Sequence, residues 1–108
     1  MKKGLGVILA PQKLSAMIAS AEKAESAGFE MVWTSELYRS IFIPLAAIAS
    51  RTKRITVSAG VALAFVRSPL ITALTALDMD ELSDGRFLLG LGPGVRRLNE
   101  AWHNAPFG

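Results

Sequence analysis

Glu36 is the carboxylate best placed to do chemistry in this sequence, because it alone stands directly after an apolar, strand-like run, Met31 to Thr34. A carboxylate there can orient a polar ring, hold a proton or hydrate the loop. Tyr38 and Arg39, just beyond it, suit either contact with a ligand or cover of a rim. Gly60 interrupts another apolar run, where a glycine marks either a bulge or the close approach of a ligand. The segment Gly90 to Gly94 reads GLGPG, which invites a phosphate-binding interpretation. Its spacing is GxGxG rather than GxGxxG and it follows the fourth apolar strand rather than the first, so a tight turn accounts for it better. Asp78, Asp80, Glu81 and Asp84 read as the solvated face of a helix and its terminal turn.

Several chemistries are excluded by what is lacking. There is no cysteine, which removes disulfides, thiolate metal sites and thiol nucleophiles together, and the single histidine, His103, cannot build a metal site alone. The net charge of +3 is scattered, with no basic stripe interleaved with aromatics, so no nucleic-acid partner is expected. Lys2 and Lys3 before Gly4 to Ala10 imitate the start of a signal peptide, but Gly4, Gly6 and Pro11 break the apolar stretch and a first strand explains it better. No stretch approaches the ~20 apolar residues of a membrane span, and a cytoplasmic protein without a membrane partner is expected.

The elements that must carry these residues alternate along the chain. Gly4 to Leu9 reads as a buried strand. Leu14, Met17, Ile18 and Ala21 then fall at helical spacing, and Gly28 closes that helix. Met31 to Thr34 form a second strand. Pro44 opens a short helix through Ala49, and Ile55 to Phe65 form a third strand kinked at Gly60. Ser68 and Pro69 are an N-cap and first helical residue, opening a helix that carries Leu70, Leu74 and Leu77 to about Leu82. Ser83 to Gly85 turn the chain into a fourth strand, Phe87 to Leu91, and Leu98 to Trp102 begin a further helix. Near-continuous apolar strands alternating with helices mean an α/β fold with a parallel sheet. In such folds ligands sit at the C-terminal ends of the strands. The segments there are Ala10 to Gln12, Ser35 to Tyr38, Gly60 to Ala64 with Arg67, and Gly92 to Asn99. Trp33 and Trp102 read as packing residues.

The order and spacing of AEKAESAGFEMVWTSE, PLAAIASRTKRITVSAGVALAF, RSPL and LDMDELSDGRFLLGLGPGVRRLNEAW resemble the luciferase-like monooxygenase superfamily over essentially the whole chain. Around AFVRSPL and LGLGPGVRRLNEAW the wording is closer to the deazaflavin-dependent branch than to the luciferases proper. The resemblance implies the N-terminal half of a TIM (β/α)8 barrel as one partial domain over residues 1–108. It also implies FMN or F-420 (8-hydroxy-5-deazaflavin) as cofactor, and hydride transfer to or from a small-molecule substrate. It places Glu36 near the ring or substrate as the catalytic candidate, with Leu37 where relatives commonly carry a histidine. It implies cofactor contacts from Ser35, Glu36, Gly60, Val61, Ala62, Leu63, Gly92, Pro93, Gly94 and Asn99, and a non-proline cis peptide at Gly60 and Val61, at a cost of about 3 kcal/mol.

Length sets the competing expectations. A closed barrel takes ~250 residues, about twice this chain of 108. The family's phosphate-binding loops follow later strands, so the chain by itself is expected to be inactive. The mean hydropathy of +0.36 suggests surfaces meant to be covered, by further barrel elements or by a homo-oligomeric partner. The alternatives are a non-enzymatic half barrel that self-associates and a small doubly wound binding domain.

Overall fold

The computed structural model describes residues 6–10, 12–36, 40–64 and 66–92. Strands and helices alternate as β1 (Gly6–Ile8), α1 (Leu14–Ser26), β2 (Met31–Ser35), α2 (Phe42–Arg51), β3 (Thr56–Leu63), α3 (Pro69–Ser83) and β4 (Phe87–Gly92). All neighbouring strands pair in parallel, in the order β1-β2-β3-β4. Strand order that follows chain order, with each crossover of the same hand, keeps every helix on one face of the sheet. A doubly wound sheet must instead reverse its strand order at a switch point. The observed order is that of the N-terminal part of a TIM barrel.

The helix side holds the core. Val32, Val57, Ala59 and Ala62 from the strands meet Met17, Ala21, Leu45, Ile48 and Met79 from the helices, with Val7, Phe87 and Leu89 packed against them. The opposite, helix-free face carries Ile8, Trp33, Val61 and Leu88, all exposed among the described residues.

Local chemistry explains the boundaries. Ser68 Oγ accepts from Ile71 N at 3.1 Å, with Pro69 as the first residue of α3. Gly28, with φ 90°, follows the end of α1, and Asp84 (φ 56°) and Gly85 (φ 80°) turn the chain after α3. Helix α2 begins at Phe42 rather than Pro44. The first four N–H groups of a helix have no partner within it, so a proline third in line removes nothing. Helix α3 buries Thr72, Met79 and Ser83, while Leu70, Leu74 and Leu77, which gave the helix its period, lie exposed on its other side.

Two polar anchors tie the N-terminal ends of the strands. Oε2 of Glu25 accepts backbone N–H bonds from Lys53, Arg54 and Ile55 at 2.9, 2.6 and 3.0 Å, which fixes the basic turn before β3. Burial alone would raise the Glu25 carboxyl, but these three amides and the Arg54 charge hold it below its ordinary value. Arg86 donates to the carbonyls of Ala49, Thr52, Ile55 and Ser83 and to Thr52 Oγ1, all within 2.7 to 3.0 Å. One guanidinium thus joins the end of α2, the start of β3 and the start of β4.

Candidate functional site

The C-terminal ends of β2, β3 and β4 meet at an irregularity in β3. Thr34 pairs with Ala59 but Ser35 pairs with Val61, so Gly60 is an extra residue against β2. On the other side Ala59 pairs with Leu89 and Ala62 with Leu91, leaving Gly60 and Val61 opposite Gly90. This is a β-bulge. The expected cis peptide is not there: among the described residues every peptide bond is trans. A β-carbon on Gly90 would stand 2.5 Å from the Gly60 carbonyl oxygen and 2.6 Å from that of Ala59. With no side chain at Gly90 the bulged backbone has room to nest against β4.

The other glycines at this level are equally constrained. A β-carbon on Gly60 would lie 2.6 Å from Trp33 Cε3, and one on Gly92 would lie 2.7 Å from Val61 Cγ1. Of the two readings open for Gly60, the bulge is therefore observed, with Trp33 lying against its backbone. Gly90 and Gly92 belong to β4, and the Gly92 carbonyl accepts from Ala64 N at 2.8 Å.

Glu36 follows β2 and is buried, with 8% of its surface exposed. Its own N–H donates to the Val61 carbonyl at 2.9 Å, which fastens it to the bulge. Oε1 accepts from Leu63 N at 3.0 Å and from Arg67 Nη1 at 2.8 Å; Oε2 accepts from Ile41 N at 3.2 Å and from Arg67 Nη2. Arg67 also lies over the Phe42 ring, 4.7 Å from its centroid. Burial acting alone would raise the Glu36 carboxyl, but the Arg67 guanidinium and the Leu63 and Ile41 amides outweigh it and hold the group below the usual range. The arrangement keeps Glu36 ionised and leaves each oxygen with two donors.

The residues singled out from sequence therefore divide. Ser35, Val61 and Gly60 lie together on the helix-free face at the bulge. Ala62 is fully buried in the core on the helix side, and Leu63 is buried with its amide bound to Glu36. Gly92 ends β4 beside Val61. Pro93, Gly94 and Asn99, with Tyr38 and Arg39, lie outside the described residues. Arg67 stands after a strand in the sequence, yet no spacing announces its bidentate partner 31 residues away. Trp33 read as packing; the signal that it faces away from the core is its alternation with buried Val32 and Thr34. Among the described residues no group of three or more histidine, cysteine, aspartate or glutamate side chains could hold a metal, and no helix is long and apolar enough to cross a membrane.

Comparison with known proteins agrees with this architecture. The family model described as luciferase-like monooxygenase matches residues 3–108. A 5,10-methylenetetrahydromethanopterin reductase of Methanolobus tindarius is 38% identical over 83 residues, covering 75% of this chain and 26% of that protein. The solved coenzyme F-420-dependent tetrahydromethanopterin reductase of Methanopyrus kandleri superposes with a TM-score of 0.83 at 31% identity, covering 91% of this chain and 29% of that one. The oxygenating constituent of 3,6-diketocamphane monooxygenase of Pseudomonas putida, solved with FMN, shares the fold with a TM-score of 0.79 at 24% identity, covering 92% of this chain and 32% of that one. The chain thus spans between a quarter and a third of the length of these relatives. By the match along nearly its whole length, the chain belongs to the luciferase-like monooxygenase family.

Proposed function

We propose that this chain supplies the ring-binding wall of a flavin- or deazaflavin-dependent oxidoreductase that moves hydride to or from a small organic substrate. The observation that carries this reading is the bulge at Gly60 and Val61, set at the C-terminal strand ends where barrel enzymes place their sites. FMN and F-420 share a flat ring, and both the F-420-dependent and the FMN-bound relative favour that class. The residues present suit the ring. Val61 and Trp33 offer exposed apolar surface beside it, and Ser35 offers a hydroxyl at the rim. For the phosphate the described residues offer less, since Arg67 is committed to Glu36.

When bound, the cofactor would supply the hydride-carrying ring. The chain's own part is to shape and dry one wall of the pocket. Glu36, saturated by donors, acts as a positioning residue that clamps β2 to the bulge through Val61, Leu63 and Arg67. Titration of the chain with FMN and with F-420, followed by cofactor fluorescence, tests the reading. Saturable binding of one of them is expected; no change with either at high micromolar concentration would overturn it.

A second reading has its own observation. Leu70, Ile71, Leu74 and Leu77 are exposed along α3, beside a groove of about 650 Å³ lined by Ala64, Arg67, Pro69, Thr72, Ala73, Leu89 and Leu91. A surface of that kind favours association with a second copy of the chain.

A further inference from the structure

We propose that the open face of Trp33 is the floor on which the cofactor's flat ring seats, an inference that rests on the flavin or deazaflavin reading above. The indole is held as a plate. One edge lies against Gly60, where a β-carbon would stand 2.6 Å from Cε3 and 3.3 Å from Cζ3, and Nε1 lies 3.6 Å from where Gly6 would carry one. A side chain at Gly60 would push the ring off the sheet. With glycine at both places it reaches from β1 to β3 across its own strand.

Trp33 retains 36% exposure on the helix-free face, the face that turns towards the interior in a barrel. Its neighbours on that face are Ile8, its register partner on β1, Ser58, its partner on β3, and the exposed Val61, Leu88 and Ser35. The charged groups close to the bulge, Glu36 and Arg67, satisfy one another. An aromatic plate whose nearby charges, among the described residues, are paired with one another offers a flat conjugated ring a surface for stacking.

The test titrates the chain and its Trp33→Leu, Trp33→Phe and Trp102→Phe variants with FMN and with F-420. Fluorescence anisotropy of the cofactor reads binding. Long-wavelength absorbance of bound FMN reads charge transfer from an indole in contact with the ring. The parent and Trp102→Phe are expected to show that band, and Trp33→Leu to lose it and bind about ten-fold more weakly or worse. Trp33→Phe, which keeps a smaller plate, is expected to fall between. Far-UV circular dichroism and cooperative unfolding establish that the variants remain folded. Binding with the same affinity in Trp33→Leu and no band traceable to Trp33 would overturn this inference while leaving the cofactor reading intact. No binding of either cofactor by the parent would overturn both.

Discussion

Arg67 grips Glu36 with both terminal nitrogens, one on each carboxylate oxygen, across 31 residues of sequence. The pair ties the end of β2 to the segment between β3 and α3, and both side chains are largely withdrawn from water. Removing one member of such a pair leaves the other as an uncompensated buried charge, which costs about 3 to 5 kcal/mol. Glu36→Gln and Arg67→Met are each expected to lower stability by about that much in urea denaturation. The double variant is expected to lose less than the two losses added together. Additive losses would show that the pair is not coupled.

The same contacts set an acid limit. Glu36 and Glu25 both have folded-state carboxyls below their ordinary value. A carboxyl lowered on folding contributes stability that is full above its unfolded value, near pH 4.5, and is lost as pH falls towards the folded one. Unfolding free energy is therefore expected to be flat from about pH 7 to 5 and to drop below about pH 4.5. Glu36→Gln is expected to flatten part of that drop, and an unchanged acid slope in this variant would remove Glu36 from the cause.

Gly90 and Gly85 separate two reasons for a glycine. An added β-carbon at Gly90 meets backbone oxygens that cannot swing away, whereas at Gly85 it meets open space and only the φ of 80° opposes it. Gly85→Ala is expected to cost about 1 kcal/mol and Gly90→Ala about 3 kcal/mol or more. Thermal unfolding of the two variants side by side checks the order, and equal losses would mean that the bulge yields easily.

What could be read from residues alone follows from the range of each interaction. The alternation of strands and helices was legible because it is written in local periods, and the caps at Ser68 and Gly28 lie within a few residues of what they cap. The family's order of motifs pointed to the barrel. The ties were not legible. Glu36 to Arg67, Glu25 to the turn at Lys53, and Arg86 to Ala49 join positions about 30 residues or more apart, and no spacing announces them. The room at the bulge was no more legible, since it comes from Gly90 on another strand. A period names the apolar side of a helix without saying what covers it, so Leu70, Leu74 and Leu77 marked α3 correctly yet stand outside its packed face.

Arg86 tests whether charge or shape secures the strand entrances. Its five donor contacts are all to neutral oxygens, arranged for a planar fork. Lysine keeps the charge and cannot reach the same set, so Arg86→Lys is expected to destabilise by about 2 to 3 kcal/mol, since it strands several carbonyls. A loss under about 0.5 kcal/mol would mean that water replaces the guanidinium without cost.

The exposed leucines of α3 give the last prediction. Burial in this structure does not depend on Leu74 or Leu77, so Leu74→Glu and Leu77→Lys are expected to leave the midpoint of chemical unfolding within about 0.5 kcal/mol. If this face holds a second copy of the chain, the parent sediments as a dimer or larger and the double variant as a monomer. A parent that stays monomeric at high micromolar concentration in analytical ultracentrifugation would rule out self-association through α3. The apolar stripe would then have to be covered by something other than this chain's own copy.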